Sequence, residues 1–264
     1  MPDGLYRGDP LSLRQREEFE QDLVSFCDRA LDLLGDISGL KVLYAGGAAP
    51  LWLEGLAERT GPHGSLTALE DDAGRAEEAG RWLAEAALPC PVRVVDGDVF
   101  RPPFASGSFD LAYSAGLLHE LDVGLRPAEE AMRALAATLR PGGRLATDDF
   151  VDSVPAIQLE DEALEDELRR GLDGGEPYGI GPPERLVALH EEALESVRWS
   201  VSPPSGLRYL DRLFLAEEEP EGLAELPEAA RRGLRGRRLA LRGRVRQEGY
   251  TRPATLYVEG WRPV

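Results

Sequence analysis

The chain is poor in the residues that build staples and metal centres. Its 264 residues include two cysteines, Cys27 and Cys90, and three histidines, His63, His119 and His190. The cysteines form no spaced framework, which excludes a disulfide scaffold. Two free thiols in a reducing cytosol, buried or half-buried, are expected instead. The histidines are far apart and no Cys/His cluster exists, so no metal is expected. No stretch approaches the roughly 18 apolar residues of a spanning helix, so no membrane partner is expected. The opening "MPDGLYRGDP" has no basic-then-apolar targeting pattern, and a cytoplasmic location is the expectation. Lysine is also scarce, and the 30 basic residues are outnumbered by 48 acidic ones. Lys41 is the single lysine, and the net charge is −18. Such a surface repels a phosphate backbone, so nucleic acid is not an expected partner.

One stretch runs against this balance. "RRGLRGRRLALRGRVR", residues 231–246, holds eight arginines and no acid. The spacing predicts a helix packed through Leu234, Leu241 and Val245, with its arginines facing acids or water.

What is present reads as one large domain. Residues 10–35 form one or two amphipathic helices, with Leu23, Phe26, Cys27, Ala30 and Leu34 on one face. Strand-like runs follow at "KVLYA" (41), "SLTALE" (65), "VRVVDG" (92), "FDLAYS" (109) and "RLATDDF" (144). Helical stretches at 50–59, 72–87 and 127–139 separate them. Apolar strands alternating with helices predict a parallel sheet covered on both faces. Later come an acidic helix at 156–172, a Gly/Pro-rich loop, a helix at 183–195, and strands near 196 and 254. The expected organisation is an N-terminal helical lid over 1–38 and a sheet domain over 39–264. Helical insertions fall at about 151–182 and 206–247.

In open α/β sheets the ligand lies at the carboxyl ends of the strands. Four stretches land there. In "KVLYAGGAAPLW", Gly46 and Gly47 allow close backbone approach, and Pro50 suits a first helical position. Glu70 ends the next strand, at a distance where an acid can accept ribose hydroxyls. Asp98 and Val99 follow the third strand in "DGDVF". Ser114 and His119 lie in "FDLAYSAGLLHEL".

In their order and spacing these stretches resemble the class I S-adenosylmethionine-dependent methyltransferases. The resemblance covers roughly residues 39–152, through "VLYAGGAAP", "TALEDD", "DGDVFRPPF", "FDLAYSAGLLHEL" and "LRPGGRLATDDF". It implies a doubly wound, seven-stranded, mostly parallel sheet, in which the strand near 254 enters antiparallel between those near 144 and 196. It implies S-adenosylmethionine as cofactor, held by Tyr44, Gly46, Gly47, Glu70, Asp98, Val99 and Ser114. It also implies a methyl-transfer cleft bordered by His119 and by Asp148 and Asp149 at the end of the fifth strand. His119 and Asp148 are the expected catalytic groups. Asp149, with Tyr6 and Tyr178 closing over the site, is the expected acceptor contact.

The chain departs from the family at three places. Tyr44 stands where an acid is usual, and Ala48 and Pro50 replace the second and third loop glycines. Tyr44 is expected to line the cofactor pocket, so that Tyr44→Asp would be tolerated. Glu70 is expected to be a surface carboxylate that supports little packing. The leading reading is methyl transfer to a small-molecule acceptor. The second is a non-catalytic or regulatory binding protein on the same fold that has lost cofactor use. "AYSAG" also approaches a nucleophile elbow, with Ser114, Asp148 and His190 as a triad, but its first glycine is missing. The residues set no oligomeric state.

Overall fold

The structure, a computed structural model, describes residues 11–121, 128–151, 156–173, 181–202, 206–217, 219–220, 222–251 and 254–264. The first half alternates α1 (Leu13–Asp32), β1 (Lys41–Tyr44), α2 (Pro50–Thr60), β2 (Ser65–Glu70), α3 (Ala73–Glu85) and β3 (Val92–Asp96). Next come β4 (Phe109–Ala115), α4 (Leu118–Leu121), α5 (Ala128–Thr138) and β5 (Leu139–Phe150). The second half holds α6 (Ala156–Asp173), α7 (Pro183–Ala193), β6 (Glu195–Ser202), α8 (Leu210–Ala216), α9 (Glu228–Glu248) and β7 (Thr255–Trp261). Residues 10–35 therefore contain a single long helix.

Local signals fix the ends. Ser12 and Gln15 form a reciprocal capping box at the start of α1. Pro50 occupies the first turn of α2, where its missing N–H leaves no bond unmade. Asp72 caps α3 by accepting the Arg75 N–H at 2.8 Å.

The seven strands lie in the order β3-β2-β1-β4-β5-β7-β6. The first five are mutually parallel. β7 runs antiparallel to both neighbours, pairing Phe150 with Thr255 on one side and Ser202 with Thr255 on the other. The strand near 254 thus enters where the sequence placed it. β5 starts earlier than expected, at Leu139, which pairs with Phe109 before a register shift.

Strand alternation sorts the core into two layers. Leu43, Ala112, Leu145 and Val258 face α5 and α7. Val42, Tyr44, Leu111, Tyr113 and Ala146 face α2 and the carboxyl end of α1, where Leu31 and Leu34 join the same cluster. A third cluster belongs to a helical cap, where α6, α8 and α9 meet through Leu164, Leu168, Phe214, Leu234, Leu241 and Val245. Phe19 of α1 packs with Leu207 just before α8. There Arg208 reaches Asp22 at 2.8 Å and Tyr209 donates to Glu18.

The arginine-rich stretch is α9, and it buries Leu234, Leu241 and Val245 as the spacing predicts. Arg238 is buried beside them. Its guanidinium meets Glu217 at 2.7 Å and lies over the Phe214 ring. Arg235, Arg237 and Arg244 pair with Glu219, Glu167 and Glu160. Cys27 and Cys90 are free and buried. Among the described residues no helix is long and apolar enough to cross a membrane.

Candidate functional site

The connections leaving β1 and β4 run to opposite ends of the sheet, which opens a crevice at the carboxyl ends of these strands. A cleft of about 460 Å³ lies there. That is within the roughly 300–1,000 Å³ of small-molecule sites. Ala45, Gly46 and Gly47 form one wall, and Glu70, Asp71 and Arg75 form the next. Asp98, Val99 and Phe100 follow β3, and Gly116, Leu117 and Leu121 close the side near β4. The glycine loop can turn here because Gly47 takes a φ of +90°.

Glu70 is buried, at 4% exposure, which corrects its expected place as a plain surface acid. Its Oε2 accepts the Ala48 N–H at 3.1 Å, which ties the glycine loop to β2. Its Oε1 accepts the Asp72 N–H at 3.2 Å and pairs with Arg75 Nε at 3.0 Å. The carboxylate therefore has structural work before any ligand arrives. Across the cleft, Asp98 accepts the Phe100 N–H at 2.8 Å and turns the chain after β3.

Residues 43–147 match the family model described as a methyltransferase domain. Over this span the chain carries a methyltransferase domain. It is 26% identical over 140 residues to a demethylmenaquinone methyltransferase of Lactococcus lactis, covering 52% of each chain. The match thus spans about half the length of that curated relative. Protein YcgJ of Bacillus subtilis superposes with a TM-score of 0.60 at 15% identity, over 91% of this chain and 99% of that one. A phosphoethanolamine N-methyltransferase of Haemonchus contortus, solved with phosphomonomethylethanolamine and S-adenosylhomocysteine, gives a TM-score of 0.55 at 13% identity. That likeness covers 90% of this chain and 53% of the other. At these identities the two structures show the shared fold alone.

Within this methyltransferase domain the residues singled out in the sequence separate. Gly46, Gly47, Glu70, Asp98 and Val99 line the cleft. Tyr44 does not. It is a core residue at 1% exposure, stacked on Trp52 and Tyr113 with ring centroids 6.1 and 5.8 Å away. Strand alternation turns it under α2, opposite to Leu43. A Cβ on Gly46 would lie 2.7 Å from the Tyr44 hydroxyl. Tyr44 thus props the loop from beneath, and glycine at 46 is required by that ring. Burial holds the Tyr44 phenol well above its ordinary pKa, so it stays protonated.

The two aspartates ending β5 point to opposite faces, as neighbours in a strand must. Asp148 is on the α2 face, buried beside Tyr113, and is not among the cleft-lining groups. Asp149 is fully buried and engaged internally. It accepts the Leu118 N–H at 2.6 Å, the Phe150 N–H at 2.9 Å and the His119 N–H at 3.3 Å. Its Oδ1 also lies 2.7 Å from His119 Nδ1. His119 itself sits behind the cleft wall, since a Cβ on Gly116 would be 3.6 Å from its Cε1. Tyr6 and Tyr178 lie outside the described residues.

Ser114 is fully buried, off the cleft lining, and its hydroxyl has no hydrogen-bond partner among the described residues. His190 Nε2 is 3.2 Å from Thr147 Oγ1, and its Nδ1–H donates to the Leu186 carbonyl at 2.9 Å. Asp148 faces the other side of the sheet. The hydrolase triad is not assembled. Burial pushes His190 down to about 4. The sequence reading missed Arg75. Its signal was the Asp72 cap, which fixes Arg75 in the first turn of α3, beside Glu70.

Proposed function

We propose that this protein transfers a methyl group from S-adenosylmethionine to a small-molecule acceptor. One observation carries the reading. A buried carboxylate, Glu70, ends β2 and holds the glycine loop beside a cleft at the switch point of a methyltransferase fold. The bound cofactor supplies an electrophilic methyl on a sulfonium. The backbone at Gly46 and Gly47 admits it closely. Glu70 would accept from its ribose hydroxyls and Asp98 from the exocyclic amine of its base, with Val99, Phe100 and Leu121 as the apolar lining beside them. Much of the rate in such a transfer comes from alignment, which the cleft walls would supply.

His119 is the candidate base. Asp149 accepts from Nδ1–H, which leaves the Nε2 lone pair as the basic atom. A small acceptor is supported by the acidic surface, which disfavours nucleic acid, and by the small-molecule substrates for which the relatives are named. The experiment is label transfer from methyl-labelled S-adenosylmethionine in cell extract. Label should enter the low-molecular-weight fraction and stay out of protein and RNA.

A second reading rests on Tyr44. No acid stands at the end of β1, and three aromatic rings fill the space beneath the loop. A binding or regulatory protein that has lost cofactor use would neither bind S-adenosylhomocysteine nor transfer label.

A further inference from the structure

From the crowding around Glu70 we infer that Arg75 is a latch on the cofactor site, competing with the ribose diol for the Glu70 carboxylate. The inference rests on the methyl-transfer reading and concerns regulation of that site. A carboxylate offers roughly four lone-pair positions. The Ala48 and Asp72 N–H groups already bond two of them, and the Arg75 guanidinium is ion-paired to the same carboxylate, with Nε 3.0 Å from Oε1. A diol donates two hydrogen bonds and needs both remaining positions, so it competes with the guanidinium held against Oε1.

The two backbone donors cannot leave without cost. The Ala48 N–H belongs to the glycine loop, and the Asp72 N–H belongs to the turn that caps α3. Arg75 can leave. Its side chain is 66% exposed while that of Glu70 is 4% exposed. It has a second acid to hold, Asp71, whose Oδ1 lies 3.2 Å from Arg75 Nη2. Rotation away from Glu70 therefore keeps the guanidinium paired at the mouth of the cleft. When latched, Arg75 also neutralises the charge that makes Glu70 a strong acceptor. Cofactor must pay for that release, so the latch lowers affinity and makes it depend on ionic strength.

Calorimetric titration with S-adenosylhomocysteine tests this on the full chain and on Arg75→Ala. Exposed ion pairs contribute little, so the variant should bind about twofold to fivefold more tightly at low salt. The gap should close as salt rises from about 0.05 M to about 0.5 M, where screening weakens the pair in the wild type. Equal or weaker binding by Arg75→Ala at low salt overturns the latch and leaves the methyl-transfer reading intact. A gap that salt does not change overturns it as well. Failure of both proteins to bind at millimolar ligand removes the methyl-transfer reading, and the latch with it.

Discussion

The sheet and the helical cap are held together by different physics. In the sheet, apolar strands are covered on both faces. α5 lays down Ala128, Ala131, Met132, Leu135 and Ala136, a broad stripe at helical spacing. In the cap, α9 buries a narrow stripe of Leu234, Leu241 and Val245, with Arg238 set among them. Arginine–glutamate pairs from α9 to α6 and to the segment after α8 complete the contact. The sheet draws on non-directional burial, which salt hardly changes. The cap draws on charge, which salt screens. The cleft belongs to the sheet half, so its shape should survive conditions that loosen the cap.

The largest expected effect falls on the sheet. Tyr44→Asp would place a charge among Trp52 and Tyr113 and leave a void where the ring was. A loss of about 4 kcal/mol or more is expected from cavity and burial terms together. Urea unfolding measures it. Wild-type stability in this variant would place Tyr44 outside the core.

The next effect is set by pH. His190 has a folded value of about 4 against an ordinary 6.5. Between these limits the unfolded chain binds a proton that the folded one refuses. The contribution is fully present above about pH 6.5 and is lost as pH falls toward 4, by about 3 kcal/mol. His190→Gln should remove this part of the pH dependence. An unchanged slope in the variant would show that His190 titrates normally in the fold.

How far the sequence carried the comparison depends on the kind of contact. The strands were legible because burial on both faces leaves a continuous apolar run, as in Val42–Leu43 and Leu111–Ala112. The packing edge of α9 was legible because three apolar residues recur at helical spacing through an arginine tract. The direction of Tyr44 was not. A strand buried on both faces gives no contrast between core and cleft at its last residue. The pairing of His119 with Asp149 spans distant segments, and nothing local announces it. Arg75 was hidden for a related reason, since its meeting with Glu70 depends on where α3 begins.

Smaller effects should appear in the cap. Arg238→Ala removes a buried guanidinium from Glu217 and Phe214. It should weaken the cap by about 1–2 kcal/mol. Hydrogen exchange would rise in α6 and α9 and stay slow in β1, β4 and β5. Molar salt should produce the same pattern in the wild type. Uniform acceleration across the chain would mean that cap and sheet open as one unit. Arg237→Ala, at an exposed pair with Glu167, should change stability by about 0.5 kcal/mol or less.

The central claim is that the cleft of the sheet half binds the cofactor through Glu70. Calorimetric titration of S-adenosylhomocysteine into the wild type and Glu70→Gln tests it most directly. Glutamine keeps the volume and leaves an acceptor for the Ala48 N–H, so the melting temperature serves as the folding control. Hydrogen bonds to a charged group contribute about 1.5–3 kcal/mol, so the variant should bind about tenfold to a hundredfold more weakly. Equal affinity in the two proteins, or no binding by the wild type at millimolar ligand, would contradict the account.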